Sequence, residues 1–273
     1  MTETFATIAR NASEAAYPHL RRGLVGAWVP SLGVTGGTLR DVSGRGNHGT
    51  LTNMDPATDW KVSGGGWCLD FDGSNDNVVG AAQSLSGLSV LTVCVWYNPQ
   101  TRKAYGGIVS TASQFSEAMA TQWLLYDGAF SNAGRVGIVA GGAALFTAAG
   151  NSVLNEWQQY VAVFDGSSSK IYRNAVEQAT TGSIGALAYD AATSLKLASY
   201  TATKGYNDCR ISEVMVYNRA LTAVEVQQLY QLGSGEIGRA LTRQTRRRVY
   251  SVLGPAFKAA WATRATTIAG VLR

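Results

Sequence analysis

Between Gly23 and Tyr217, short segments whose apolar residues recur at every second position follow one another without an intervening helical repeat. The clearest are VLTVCVWY (Val90 to Tyr97), WLLY (Trp123 to Tyr126), RVGIVA (Arg135 to Ala140), WQQYVAVF (Trp157 to Phe164), KIYRN (Lys170 to Asn174), SLKLASY (Ser194 to Tyr200) and CRISEVMVYN (Cys209 to Asn218). Their β-branched and aromatic content favours strands, and none is long enough to prefer a helix. Strands without crossover helices close as an antiparallel sandwich or barrel, not as a parallel α/β sheet. The composition agrees. There are 31 glycines against 5 prolines, with no triplet repeat, as many tight turns require. Asp165-Gly166 and the serines after it mark a hairpin. With 46% hydrophobic and 15% charged residues over 273 positions, the chain can bury a core without staples.

One helix is signalled after the last strand. Thr222 and Glu225 have capping-box spacing, Leu221 and Val226 can staple the first turn, and Val226, Leu229 and Tyr230 share a face before Gly233. Gly233-Ser234-Gly235 then reads as a boundary. The expected organisation is a leader over 1–22, a sandwich over 23–233 and a C-terminal arm over 234–273. Cys68, Cys94 and Cys209 are odd in number, scattered and set in apolar surroundings, so they are expected as buried thiols. No cleavable export signal is legible, and no apolar run reaches the ~20 residues of a membrane span.

Charge divides the chain. After Gly238 come Arg239, Arg243, Arg246, Arg247, Arg248, Lys258, Arg264 and Arg273, with no Asp or Glu. Removing those eight from the 23 Lys and Arg leaves 15 against 18 acidic residues, so the preceding residues carry a formal charge of −3. The arm interleaves its arginines with Tyr250, Phe257 and Trp261. Such a segment can bind nucleic acid through phosphates, lie on a membrane surface, or cross a neighbouring subunit with its aromatics buried. The last reading is preferred, with Arg246, Arg247, Arg248, Tyr250, Phe257 and Trp261 as assembly anchors; nucleic acid stays as an alternative partner of the arm.

Three segments in order, Gly23 to Leu51 (GLVGAWVPSLGVTGGTLRDVSGRGNHGTL), Cys68 to Val79 (CLDFDGSNDNVV) and Arg210 to Tyr230 (RISEVMVYNRALTAVEVQQLY), resemble the concanavalin A-like laminin-G domain family. Trp157 to Ala175 looks like that family's central hairpin. The resemblance implies an all-β, two-sheet antiparallel jelly roll whose edge loops or concave face often bind glycans, with calcium in some members. Members often carry an acidic residue before the glutamate of the late strand; here Ser212 precedes Glu213, which weakens any inherited metal site.

Asp41 and Asn47 in DVSGRGNHG, where His48 is a lone histidine without a metal-binding partner, and Asp70, Asp72, Asn75 and Asp76 in LDFDGSND, offer oxygens that a hard cation could use. The spacing lacks the bidentate acid of an EF-hand loop, and turns explain both clusters, so Asp41, Asp70, Asp72 and Asp76 are only secondary calcium candidates and no obligatory cofactor is expected. Glu213 alternates with Ile211 and Met215 and would face the apolar side of a regular strand. Glycosidases of this fold need a pair of carboxylates, and this strand supplies one. There is no Gly-x-Ser-x-Gly elbow, and two histidines leave few bases for a triad. No catalytic residue is assigned, and an enzyme is not expected. Trp60, Trp67, Tyr105, Tyr200 and Tyr206 lie near loops where flat rings could stack on sugars, whereas Trp28, Trp96, Trp123 and Trp157 are expected in the core.

The expected function is a non-enzymatic virion structural protein, a capsid decoration or minor virion protein, made in the host cytoplasm. It would be multimeric in the particle, joined to capsid or other virion proteins by its arm and able to bind surface glycans. The resemblance to laminin-G-like proteins of tailed-phage type points the same way. A glycan-binding adhesin or accessory module of a bacterial cell surface is the alternative, and a glycoside hydrolase comes third.

Overall fold

The computed structural model describes residues 18–63, 66–82, 85–113, 122–128, 134–189 and 193–233. The assembly anchors proposed at 246–261 and most of the leader lie outside them.

The alternating segments form two antiparallel sheets, as the sequence leads one to expect. The first runs β14 (Val176–Glu177), β13 (Ser169–Arg173), β12 (Gln158–Phe164), β7 (Leu91–Pro99), β17 (Asp208–Tyr217), β5 (Gly66–Asp72) and β4 (Trp60–Ser63), with β1 (Leu24–Trp28) also paired to β17. The second runs β15 (Thr180–Gly182), β11 (Ala143–Thr147), β10 (Val136–Ala140), β9 (Trp123–Asp127), β8 (Gly106–Ser110), β16 (Ser194–Leu197), β6 (Asn77–Ala82), β3 (Gly49–Thr52) and β2 (Thr38–Leu39). The Asp72–Asn77 turn joins strands of different sheets, so it crosses the sandwich end instead of closing a hairpin.

Between the sheets lies one core built from alternate residues: Val93, Val95 and Tyr97 from β7, Tyr160 and Ala162 from β12, and Leu195 and Leu197 from β16. A second apolar layer covers the outer face of the first sheet. Cys94, Val161, Met215 and Tyr217 meet the helix α1 (223–233) through Val226 and Leu229, and Leu20 joins them from a 3-10 turn over Pro18–Arg21. All three cysteines are buried and free, and burial raises the Cys68 thiol to about 11. No helix among the described residues is long and apolar enough to cross a membrane.

The start of α1 is tied down by the capping box. The Thr222 amide and hydroxyl donate to Glu225 Oε2 at 2.9 and 3.1 Å, while the Glu225 amide donates to Thr222 Oγ1 at 3.3 Å. Arg219 donates to both Glu225 oxygens at 2.9 and 2.7 Å and to the Arg22 carbonyl at 2.7 Å, so one guanidinium links helix, sheet end and N-terminal turn. The Arg219 bonds hold the Glu225 carboxyl down at about 2, against partial burial that opposes them. A depressed acid stabilises the fold above its unfolded value of 4.5, and that contribution is lost as pH falls through about 2. Glu225→Gln is therefore expected to lower the melting temperature at neutral pH, with the deficit shrinking below pH 4.5. Thr222→Ala should cost about 1 kcal/mol in denaturant unfolding.

Candidate functional site

At the end of the first sheet marked by Pro99 and Asp208, three loops meet. Gly73, at φ +70°, leaves so little room that a methyl group would lie 2.7 Å from Asp208 Cβ and 2.8 Å from Lys103 Cε. This closeness seats the Asp72–Asn77 turn on the β7–β8 loop. Thr101 Oγ1 donates to Asp208 Oδ2 at 2.7 Å, tying that loop to the start of β17. The β16–β17 loop then folds over Tyr200: Gly205 has φ +68°, and a methyl there would meet Tyr200 Cβ at 2.3 Å and the Tyr105 carbonyl at 2.9 Å. Tyr105 and Tyr206 thus sit on touching loops, both half-buried.

Tyr105 is held at φ +57°, a left-handed conformation that a bulky residue seldom adopts. Its amide donates to the Gly128 carbonyl at 3.2 Å, so the second sheet helps to fix the strained residue. Tyr206 Oη donates to the Ala202 carbonyl at 3.2 Å.

Beneath the rim the space between the sheets is polar. Tyr97 Oη on β7 donates to Asp127 Oδ2 on β9 at 3.1 Å, Ser152 Oγ donates to the same oxygen, and Asn207 Nδ2 donates to Tyr97 Oη at 3.0 Å. Burial pushes the Asp127 carboxyl upward, against the Ser152 and Tyr97 bonds and the Arg102 charge, and its Oδ1 has no hydrogen-bond partner.

The predicted aromatics divide. Tyr105 and Tyr206 lie on loops that touch at the rim, whereas Trp67, 37% exposed, stands apart on the β4–β5 hairpin beside Val62. Trp60 and Tyr200 are not available for stacking: they are 5% and 0% exposed. Trp60 turns inward and its Nε1 donates to the Gly36 carbonyl at 3.1 Å, while Tyr200 lies under its own loop against Tyr126, ring centroids 6.3 Å apart. Of the tryptophans expected in the core, Trp28, Trp96 and Trp123 are buried, Trp96 on the outer side of the first sheet, and Trp157 is not. Trp157 is half-buried with its Nε1 on Ser63 Oγ at 3.2 Å, and Trp96 lies on the outer face of the first sheet, with Tyr230 stacked on it.

The acidic residues are occupied by the fold. Asp41 accepts from the Ala27, Ser43 and Asn47 amides and from Ser43 Oγ, at 2.8 to 2.9 Å, and the Asp41 amide donates to His48 Nδ1 at 3.0 Å. Asp70 pairs with Arg210 at 2.8 Å. Burial opposes ionisation of Asp72, but the Ser74, Asn75 and Asp76 amides outweigh it and hold the carboxyl below its ordinary value. Burial, helped by the charges of Asp72, Asp59 and Asp70 and opposed by the Asp72 amide, raises Asp76 to about 6. Carboxylates committed to amides and to an arginine do not fit the oxygen cage of calcium. Among the described residues no three His, Cys, Asp or Glu side chains gather to hold a metal ion.

Glu213 departs from the regular alternation. Ile211 pairs with Tyr97 but Glu213 pairs with Trp96, so Ser212 is an extra residue in β17. Ile211, Val214 and Val216 face the inner core, and Met215 and Tyr217 face outward. Glu213 therefore shares the outer face with Met215, not with Ile211. It is fully buried there and accepts from Ser31 Oγ at 2.9 Å.

A family model described as the concanavalin A-like lectin/glucanases superfamily, of laminin-G type, matches residues 72–227, more than half of the chain. The chain belongs to this superfamily. No curated protein matches its sequence. Among solved structures it is similar to domain 4 of AbnA, an extracellular GH43 arabinanase from Geobacillus stearothermophilus, in complex with arabinotriose. The TM-score is 0.58 at 15% identity, covering 76% of this chain and 98% of that domain. Trypanosoma rangeli sialidase in complex with sialic acid is similar at TM-score 0.54 and 14% identity, over 80% of this chain but 34% of the sialidase. The binding domain of Paraclostridial Mosquitocidal Protein 1 follows at 0.53 and 13%, over 78% of this chain and 52% of that one. At these identities the likeness shows the sandwich fold alone.

The Asp76 shift has a sign that can be measured. An acid raised from 3.8 to about 6 favours the folded state while protonated, and that contribution is lost as pH rises through about 6. Asp76→Asn, which keeps an oxygen for the Asp72 amide, should melt above the unsubstituted protein at about pH 8 and level with it below about pH 4. Melting should not depend on calcium. A saturable calcium-induced rise that disappears in Asp72→Asn would show that the turn is a metal site after all.

Proposed function

We propose that the sandwich is a non-catalytic glycan-binding module whose site is the loop rim bearing Tyr105 and Tyr206. The observation that carries this reading is Tyr105: a half-buried aromatic residue held in a strained backbone conformation, packed against the buried Tyr126 and Tyr200 and next to the loop that carries Tyr206. Two rings for the apolar face of a sugar, with the half-buried Lys103 on the Tyr105 loop for its hydroxyls, are what a shallow saccharide site needs. The arabinotriose complex of the arabinanase domain, a sandwich matched over nearly its whole length, supports the choice of ligand class.

Absence of catalysis is part of the proposal. Hydrolysis by a retaining route needs two carboxyls about 5–5.5 Å apart. Glu213 has Trp96 as its neighbour in register and Ser31 as a bonded partner, and neither supplies a second carboxyl.

The proposed setting is a virus or phage particle, with residues 234–273 as the attachment arm. Support comes from the charge split, with eight basic and no acidic residues after Gly238, and from the spaced aromatics Tyr250, Phe257 and Trp261. α1 already closes the outer apolar layer before the arm begins.

Binding to a glycan panel should be weakened at least tenfold by Tyr105→Ala with Tyr206→Ala, without turnover of any sugar bound. Turnover abolished by Glu213→Gln would reverse the non-catalytic reading. A chain ending at Gly235 should keep its β-sheet circular dichroism and cooperative melting but fail to join particles. Phe257→Ala with Trp261→Ala should impair incorporation at any salt concentration, whereas replacing Arg246, Arg247 and Arg248 should give a salt-dependent defect. Normal incorporation of the shortened chain would move the attachment surface to the sandwich.

A further inference from the structure

Gln159, Trp96 and Glu213 stand side by side in register on β12, β7 and β17. All three point to the outer face of the first sheet, because they alternate with the inward-facing Tyr160, Val95 and Val214. Gln159 is 0% exposed, yet neither its amide oxygen nor its amide nitrogen has a hydrogen-bond partner, and the Nε1 of Trp96 has none either. Methionine would fill the same volume without desolvating an amide, so glutamine at this position works against the stability of the empty protein. Positions where a chain breaks the rules of stability are where ligands are met.

The missing partner must offer a donor and an acceptor together to the Gln159 amide and an acceptor to the Trp96 indole. Neighbouring hydroxyls of a sugar do both, and an aliphatic chain does neither. The surroundings are aromatic. Tyr230, 37% exposed, stacks on Trp96 with centroids 5.7 Å apart and planes inclined by 14°. Trp157 is half-buried two residues before Gln159. The Tyr230 ring, on the final turns of α1, takes the place over the indole that the apolar face of a pyranose would take.

We infer that this outer face is a second saccharide subsite, distinct from the rim, which takes one pyranose through Gln159 and Trp96 with Tyr230 as a displaceable cover. The inference rests on reading the sandwich as a glycan-binding module and adds a site to it.

Saturation-transfer NMR on the full chain, with methyl α-mannoside, methyl β-galactoside and N-acetylglucosamine as probes, separates the two sites. Transfer to at least one probe should persist in Tyr105→Ala with Tyr206→Ala. It should be lost from that background on adding Gln159→Met, which should melt no lower than the unsubstituted protein. The Trp96 indole N–H resonance should shift on adding sugar, and Trp96→Phe should reduce the transfer. If Gln159→Met leaves transfer intact, the amide is served by ordered water only and the inference falls. If the rim variant alone abolishes all transfer, the inference falls while the rim stands; if the unsubstituted protein shows none, both fall.

Discussion

β17 carries the first sheet, and the extra residue at Ser212 decides what that sheet presents on each side. Along one edge β17 pairs with β7 over almost its whole length; along the other it pairs first with β5, at Asp208–Ile211, and then with β1, at Val214–Tyr217. The bulge falls where the neighbour changes. A bulge bends and twists a strand, which lets two short strands share an edge that a regular strand would offer to one. It also reverses the alternation. Without it Glu213 would point between the sheets with Ile211, a carboxylate among Leu69, Val95 and Leu197, where the loss of solvation would be severe. With it the carboxyl lies on the outer face within reach of Ser31, and Val214 and Val216 enter the core.

The same reversal creates the outer layer. Met215 and Tyr217 join Cys94 and Val161 as a surface that α1 covers with Val226 and Leu229. Burying side chains of this size contributes roughly 1.5–3 kcal/mol each, more than the cap that starts the helix. The cap selects where the helix begins, and the apolar face holds it there. Arg219 adds direction by reaching Glu225 and the Arg22 carbonyl while lying 5.7 Å over the Tyr217 ring.

The rim end of the sandwich follows another logic. Tyr97, Asp127, Ser152 and Asn207 replace apolar packing by hydrogen bonds between the sheets. Buried polar networks specify geometry at the expense of stability, because a partly satisfied member such as Asp127 stays costly. Tyr105 itself rests on the apolar cluster that includes Tyr126 and Tyr200, outside this network.

Much of this was legible in the chain itself. Period-two alternation depends on nearest neighbours along a strand, so the all-β class, the hairpin at Asp165, the capped helix and the burial of the cysteines could be read directly. The order of the strands in the sheets could not, nor that the Asp72–Asn77 turn crosses between sheets, because pairing joins residues far apart in sequence. The site was legible in residue type but not in position. Tyr105 and Tyr206 look no different in sequence from Trp60 and Tyr200; tertiary packing alone sends the first pair to the rim and buries the second. That Trp96 and Gln159 face outward from the sandwich could not be read, because alternation tells which residues share a face, not which face lies between the sheets. The outer position of Glu213 rests on one inserted residue, Ser212. A bulge is settled by the strands on either side of it, and no local pattern records their demands.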